Sequence, residues 1–305
     1  MSETAFIFPG QGSQNQTMLQ PFYDEWAGVR DEFESIADDT VRELVFRAEA
    51  ETLTKTKNAQ QAVLAVSLAV ARVIQRRYNI SPDFVAGHSL GHITAATAAG
   101  VCTPEDALSL VKGRGQVMSD AEQEAGPGTM AAILFADPSI VEQVVAEYDT
   151  VAVGGYNAPK QTVISGLDRD VETAADEIRD SADRARVIEL DVESGFHSPV
   201  MAPAVGPFRE ITDDVTFHDP NVPVVSDVTS AVYRSGDTAR GAFRNQLDSP
   251  VQWVEVMNTL EREGVDRFIV LPPATELMKL VRRNVSSADV VGITDTEIDD
   301  MAMAS

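Results

Sequence analysis

Cysteine is almost missing from this 305-residue chain, which contains only Cys102. A single cysteine cannot form a disulfide within the chain and cannot supply a cysteine-based zinc site. The sequence therefore argues against a disulfide-stabilised secreted scaffold and against thiol redox chemistry.

Basic residues are also scarce, with 24 Lys and Arg against 48 Asp and Glu and a formal net charge of -24. This charge argues against a nucleic-acid partner, because nucleic acids bind through basic surfaces. Self-repulsion of this size weakens a folded state unless salt screens it, and at about 1 M salt the screening length falls to about 3 Å. We therefore hypothesise a halophilic protein; an ordinary acidic protein is the alternative.

Long apolar segments are absent as well. The most apolar stretch, 62–74, is interrupted by Ser67 and Arg72 and is too short to cross a bilayer. The N-terminus reaches Pro9 after a short apolar run, which is not the pattern of a signal peptide. We expect a cytoplasmic protein with no membrane partner.

Apolar runs and helical patterns alternate along the chain, which favours an α/β fold. The runs 5–8 and 83–87 predict strands, and the segments 59–77 and 90–99 predict helices, the first of them buried on several sides. The length predicts one large domain with a smaller insert, or two modest domains.

A six-element pattern occupies residues 126–194. It comprises strands at 129–135, 151–155, 161–165 and 186–190 and helices at 138–147 and 168–182. The order β-α-β-β-α-β is the split motif of ferredoxin-like folds. We expect a ferredoxin-like subdomain at 126–194, inserted into a large α/β domain of residues 1–125 and 195–305 that ends in an acidic tail from about Asp295.

The segment Gly87-His88-Ser89-Leu90-Gly91 forms a G-x-S-x-G pattern between a predicted strand and a predicted helix. In this context the glycines permit a sharp turn that exposes the serine hydroxyl, and the helix N-terminus directs N–H groups at developing negative charge. Ser89 is the candidate nucleophile. A glycine-rich turn with an incidental serine is the alternative.

A serine nucleophile needs a base, and the chain has four histidines. His88 adjoins the serine, so its ring should point away from the hydroxyl and form part of the pocket wall. His92 lies one turn into the helix, where we expect it at the surface, and His218 lies in a strand end or loop. His197 precedes a helix that Pro199 can open, and it remains as the candidate base; a structural histidine is the alternative.

Arg114 lies in a predicted helix that Thr103 caps and that runs to about Glu122. It stands between Gly113 and Gly115, and each glycine inside a helix costs about 1 kcal/mol relative to alanine. The two glycines therefore indicate that a ligand or a neighbouring element packs closely here. Arginine can bind a carboxylate with two hydrogen bonds, whereas a surface arginine beside tightly packed helices is the alternative.

Together these segments resemble the malonyl-CoA:acyl carrier protein transacylases and the acyltransferase domains of polyketide and fatty acid synthases. The similarity extends in order and spacing through Phe8-Pro9-Gly10-Gln11-Gly12-Ser13-Gln14, Gly87 to Gly91, Gly113-Arg114-Gly115, Met130-Ala131-Ala132-Ile133, Asn157-Ala158-Pro159, Phe196 to Met201, Asn245-Gln246-Leu247 and Pro250-Val251-Gln252-Trp253. We expect a large α/β-hydrolase-like domain with a parallel-sheet core and the inserted ferredoxin-like subdomain.

The resemblance implies that Ser89 carries the acyl group, that His197 is its base and that Arg114 binds the substrate carboxylate. The base would be oriented mostly by oxygen acceptors rather than by a buried Asp. The other residues implied at the substrate site are Gln11 and Leu90, whose N–H groups would form the oxyanion hole, and Gln246, His88, Asn157 and Phe196. Leu90 and Phe196 also favour malonyl over methylmalonyl.

The implied activity is transfer of a malonyl group from malonyl-CoA, through an acyl-serine, to the phosphopantetheine thiol of an acyl carrier protein. Because a thioester is exchanged for a thioester, we expect no metal and no cofactor, with coenzyme A present only as part of the substrate. We expect a monomer with malonyl-CoA and an acyl carrier protein as partners. A serine thioesterase or hydrolase and a non-catalytic carrier-docking module are the alternatives.

Three segments depart from the family pattern. His92 stands where Glu is common, Glu193-Ser194-Gly195 varies a segment beside the base, and Leu271-Pro272-Pro273-Ala274 replaces a usual Gly-Pro-Gly loop. Because carrier proteins are generally acidic, as this chain is, docking needs a local basic patch or salt that mutes repulsion. The candidate docking residues are Arg184, Arg186, Arg282 and Arg283.

Overall fold

The computed structural model describes residues 3–26 and 28–294. The strands are β1 (Glu3–Phe8), β2 (Phe84–Gly87), β3 (Gly128–Leu134), β4 (Val151–Ala158), β5 (Gln161–Leu167), β6 (Arg186–Glu189), β7 (Val224–Val225), β8 (Val232–Tyr233), β9 (Val265–Val270) and β10 (Asp289–Gly292). The acidic tail expected from about Asp295 lies outside the described residues.

The helices connect and cover these strands. They are α1 (Gln20–Glu25), α2 (Val29–Ile36), α3 (Asp39–Phe46), α4 (Ala50–Thr54), α5 (Thr56–Arg77), α6 (Leu90–Ala98), α7 (Pro104–Ala125), α8 (Pro138–Val145), α9 (Asp168–Ser181), α10 (Ala202–Asp213), α11 (Gly236–Arg244), α12 (Trp253–Arg262) and α13 (Thr275–Asn284), with a 3-10 turn at Pro199–Met201. None of the helices described is both long and apolar enough to cross a membrane.

The larger sheet has the strand order β10-β9-β1-β2-β7-β8 and is parallel except for the β7–β8 pair. Residues 5–8 of β1 are buried, as expected for a central strand covered on both faces. The register pairs Phe8 with Gly87, so β1 and β2 end side by side. The loop after β1 therefore lies next to the G-x-S-x-G turn.

The smaller sheet has the order β4-β5-β3-β6, and all its neighbouring strands are antiparallel. Its elements follow the predicted order β-α-β-β-α-β, and each bound lies within three residues of the prediction. Helices α8 and α9 pack against strands of this sheet. The mixed α/β prediction is confirmed, whereas the division into domains at 126 and 194 stays a prediction.

The two glycines of α7 allow two other helices to approach Arg114. A Cβ on Gly115 would lie 2.5 Å from Lys57 Cα in α5, and a Cβ on Gly113 would lie 2.8 Å from Ile211 Cδ1 in α10. Close helix packing is therefore confirmed. The alternative that placed Arg114 at the surface is wrong, because only 1% of the residue is exposed.

Candidate active site

Ser89 occupies a strained corner between β2 and α6, with a backbone φ of +52° that non-glycine residues rarely adopt. A Cβ on Gly87 would lie 2.0 Å from the Gly91 carbonyl, and a Cβ on Gly91 would lie 2.0 Å from the Phe8 carbonyl oxygen. Both positions therefore require glycine. The turn has the geometry of a nucleophile elbow.

The turn brings Ser89 to a histidine that is distant in sequence: its Oγ lies 2.8 Å from His197 Nε2. The other ring nitrogen of His197, Nδ1, lies 3.0 Å from each of the Gln246 and Ser249 carbonyl oxygens. Carbonyl oxygens only accept hydrogen bonds, so Nδ1 carries the proton and Nε2 is free to accept one from the serine. The orienting groups at the imidazole are main-chain oxygens, as the resemblance implies.

The electrostatic surroundings keep the His197 imidazole neutral. Burial, and then the nearby Arg114 guanidinium, lowers the pKa of His197 to about 4. At neutral pH the ring is therefore unprotonated, which is the state that a general base needs.

Arg114 is a buried cation beside the nucleophile. Its Nη2 donates to Ser89 Oγ at 3.2 Å, and its Nη1 donates to Gln60 Oε1 at 2.8 Å. Burial lowers the pKa of Arg114 to about 10, so the side chain is still charged at neutral pH. Within the described ranges it forms no ion pair, so a substrate carboxylate could supply the counterion that a buried charge requires.

Gln246 contacts both members of the Ser89–His197 pair. Its side-chain Nε2 donates to the Ser89 carbonyl oxygen at 2.9 Å, and its own carbonyl oxygen accepts from His197. The same Nε2 lies 3.0 Å from Asp227 Oδ2. A buried carboxylate is therefore connected to the main chain of Ser89 through the Gln246 amide.

The prediction that His92 lies at the surface is wrong. The residue is 0% exposed; its Nδ1 lies 2.6 Å from Asp227 Oδ1 and its Nε2 lies 3.0 Å from the Tyr233 hydroxyl. The physical reason is that α6 packs against β1, β2, α5 and α7. Its sequence carries no Asp, Glu, Lys or Arg, which is typical of a helix that is buried on every side.

His88 faces away from the Ser89 hydroxyl, as predicted. Its Nε2 lies 2.8 Å from Asn157 Oδ1, and its ring packs edge-on against Trp253 with centroids 5.3 Å apart. Burial lowers the pKa of His88. His88 and Asn157 therefore form a paired polar wall beside the serine.

The remaining predicted residues surround the same corner. Leu90 is the first residue of α6, where N–H groups lack partners within the helix, and Gln11 follows β1. Gln11 Nε2 donates to Thr56 Oγ1 at 3.4 Å, and Phe196 is 5% exposed. The oxyanion-hole role of Gln11 and Leu90 stays a prediction.

A cavity of about 380 Å³ opens onto these groups. All the predicted site residues except Leu90 and Gln246 contribute to its lining, which extends from buried Arg114 to exposed Lys279 and Arg283. Of the candidate docking arginines, Arg283 alone lines this cavity in the described structure. In the part of the chain that the structure describes, no group of three or more His, Cys, Asp or Glu could hold a metal ion.

Two polar residues of the site were not predicted from the sequence. Gln60 accepts from Arg114, and it lies beside Gln61 in the polar N-terminal part of α5. Asp227 follows the buried strand β7 by two residues. Both residues lie among other polar residues in the sequence, so no local signal distinguishes them from solvated positions.

Comparison with known proteins places these features in a family context. The chain matches the acyl transferase domain family over residues 5–304. It is 36% identical over 310 residues to the malonyl CoA-acyl carrier protein transacylase of Bacillus subtilis, and the alignment covers 99% of this chain and 97% of that protein.

Solved structures agree over the whole length. The malonyl-CoA:acyl carrier protein transacylase of Xanthomonas oryzae superposes with a TM-score of 0.93 at 32% identity, covering 100% of this chain and 99% of that one. A malonyl-transacylase in complex with its type II PKS acyl-carrier protein also gives a TM-score of 0.93, at 32% identity and 99% coverage of each chain.

Proposed function

Because this chain belongs to the malonyl-CoA:acyl carrier protein transacylases of the acyl transferase domain family, we propose that it transfers a malonyl group from malonyl-CoA to the phosphopantetheine thiol of an acyl carrier protein. One observation carries the proposal: Ser89 Oγ contacts His197 Nε2 at 2.8 Å and Arg114 Nη2 at 3.2 Å. A nucleophile, a base and a counterion for a carboxylate meet at one oxygen atom.

In the first half-reaction His197 Nε2 takes the Ser89 proton while Oγ attacks the thioester carbonyl carbon. The N–H groups of Gln11 and Leu90 stabilise the negative oxygen that forms. The carbon–sulfur bond then breaks, and the coenzyme A sulfur leaves with the proton that His197 held. Malonyl-Ser89 and free coenzyme A are the products.

The second half-reaction reverses these steps with a different thiol. His197 takes the proton of the carrier thiol, the sulfur attacks the acyl-serine carbonyl, and the Ser89 oxygen leaves with that proton. Arg114 pairs with the malonyl carboxylate in both halves and so orients the group. Because thioester is exchanged for thioester, the cycle needs no cofactor.

The remaining features of the proposal concern the fold and the setting. The elbow between β2 and α6 supports an α/β-hydrolase-like description of the larger unit, and the order of β3 to β6 supports a ferredoxin-like subdomain. The net charge of -24 supports a halophilic setting and the absence of a nucleic-acid partner. A monomer in the cytoplasm without a membrane partner completes the proposal.

A transfer assay tests the function directly. Incubation of the protein with malonyl-CoA and a phosphopantetheinylated carrier should raise the carrier mass by one malonyl group, and Ser89→Ala should abolish the gain. Ser35→Ala removes an exposed hydroxyl whose hydrogen bond, among the described residues, is to the Glu32 carbonyl oxygen, and this variant should transfer normally. Release of free malonate without carrier acylation would instead indicate a hydrolase, and complete inertness would indicate a docking module.

A further inference from the structure

Gln246 links the two groups that react. Its side chain holds the main chain of Ser89, and its main chain holds the ring of His197. The residue is 0% exposed, so water does not compete for these hydrogen bonds. The orientation of one side-chain amide therefore affects the relative positions of nucleophile and base.

Asp227 and the Ser89 carbonyl oxygen together determine which way the Gln246 amide points. Nε2 of Gln246 lies 3.0 Å from Asp227 Oδ2, 3.3 Å from Oδ1 and 2.9 Å from the Ser89 carbonyl oxygen. All three oxygens accept hydrogen bonds, so a flipped amide would place Oε1 against three acceptors. Oε1 itself has no hydrogen-bond partner among the described residues, so no bond at that end opposes this choice.

Asp227 favours the observed orientation of the Gln246 amide when its carboxyl group is ionised, and the contact with His92 favours the ionised form. Burial opposes ionisation, but the close contact with His92, whose Nδ1 lies 2.6 Å from Asp227 Oδ1, holds the pKa of Asp227 below its usual value. His92 is itself fixed by the Tyr233 hydroxyl at 3.0 Å and by the Phe243 ring, whose centroid is 5.2 Å away. A protonated Asp227 can donate a hydrogen bond, so it would support a flipped amide and leave only the Ser89 carbonyl oxygen to oppose it.

We propose that Asp227, held by His92, is a positioning residue for acyl transfer: it orients the Gln246 amide and thereby aligns Ser89 with His197. This inference rests on the acyl-transfer function proposed above. Neither Asp227 nor His92 lines the cavity. Their contribution is therefore to the rate of the chemical step and not to substrate binding.

The first test is Asp227→Asn, which keeps the side-chain size but introduces a donor that permits the flipped amide. We expect kcat to fall about 10- to 100-fold, as misplacement of reacting groups does. The KM for malonyl-CoA should stay at the wild-type value. Asp248→Asn is the matched control, because it removes the same charge from an exposed position two residues from Gln246 and should leave kcat unchanged.

A double-mutant cycle separates positioning from a general structural role. In a Gln246→Ala background Asp227 has no amide to orient, so Asp227→Asn should cause no further loss of kcat. A purely structural role would lower kcat by the same factor in both backgrounds. Additive losses, or wild-type kcat in the folded Asp227→Asn single variant, would overturn the proposal.

A second pair of variants keeps the test valid if Asp227→Asn does not fold. His92→Asn retains an N–H donor at the position of Nδ1, whereas His92→Leu has none. We expect His92→Asn to retain more kcat than His92→Leu, and equal losses in the two folded variants would overturn the proposal. If the wild-type protein forms malonyl-Ser89 and the folded Asp227→Asn variant has an unchanged kcat, the positioning role alone is refuted. If the wild-type protein forms no malonyl-Ser89, the proposed function is refuted, and this inference with it.

Discussion

Arg114 is a buried charge next to neutral side chains. Its role is therefore to bind the substrate carboxylate, whereas Ser89 and His197 carry out the chemical step. Replacing it with Ala removes the group that pairs with the malonyl carboxylate, and a hydrogen bond to a charged group contributes about 1.5–3 kcal/mol. We therefore expect kcat/KM for malonyl-CoA to fall by about 10- to 150-fold, since about 1.4 kcal/mol is tenfold. Steady-state rates with malonyl-CoA and acetyl-CoA check this.

Acetyl-CoA is the internal control for Arg114→Ala, because it has no carboxylate to pair. Its kcat/KM should change much less than that of malonyl-CoA. A wild-type enzyme that used both substrates equally well would contradict the role of Arg114.

The acid side of the pH profile of kcat/KM reports the protonation state of His197. Its pKa of about 4 lies below the usual value of about 6.5. The ring therefore stays neutral as the pH falls from about 6.5 towards about 4. We expect kcat/KM to stay near its plateau down to about pH 5, because this parameter reports the free enzyme. A fall with its midpoint near pH 6.5 would contradict the buried, neutral base.

The same pKa shift has a consequence for stability. Between about pH 6.5 and about pH 4 the unfolded chain binds a proton at His197 that the folded chain does not. The free energy of unfolding should therefore decrease as the pH falls through this window and be recovered above it. Urea denaturation at each pH measures the free energy of unfolding directly. It also identifies the pH values at which unfolding limits the rate assay.

At the residue scale the sequence predicted the reacting pair but not what supports it. Ser89 followed from a local pattern of five residues, and His197 from elimination among four histidines. The contact between His92 and Asp227 joins α6 to the segment after β7, and no local periodicity encodes such a pairing. The apolar composition of α6 indicates that His92 is buried, whereas its position one turn into the helix had suggested a surface residue.

At the scale of elements, the fit between α5 and α7 sets the position of Arg114. Gly115→Ala would place a Cβ 2.5 Å from the Lys57 backbone, which can be relieved only by moving one helix away from the other. Overpacking of this kind costs about 1–3 kcal/mol. We expect both a lower free energy of unfolding in urea and a lower kcat/KM.

Gly206→Ala in α10 is the matched control for this substitution, because nothing lies within 4 Å of the added Cβ. Since alanine favours helix over glycine by up to about 1 kcal/mol, this variant should be slightly more stable than the wild type. Equal stability of the two variants would contradict the close approach of α5 and α7.

Element prediction succeeded where local signals were strong. Thr103 caps α7 through a hydrogen bond from Asp106 N, and Pro138 opens α8 behind the cap Asp137. The two-residue strands β7 and β8 are too short for periodicity to reveal. The order of strands in the larger sheet depends on contacts between distant parts of the chain, which the sequence pattern does not contain.

At the scale of the whole molecule, the net charge of -24 should make stability depend on salt. Added KCl screens repulsion among surface carboxylates, and at about 1 M the screening length is already near 3 Å. We expect the Tm to rise steadily between about 0.1 M and about 2 M KCl. A Tm that does not change over this range would contradict the halophilic interpretation.

Acyl transfer depends on one serine at a strained corner that loses its proton to His197 and holds a malonyl group. Mass spectrometry of the protein after mixing with malonyl-CoA, followed by peptide mapping, detects this acyl-serine. We expect one malonyl group on the peptide that contains Ser89, and we expect it to disappear when a phosphopantetheinylated carrier is added. Unmodified protein, or a malonyl group on any other residue, would contradict this expectation.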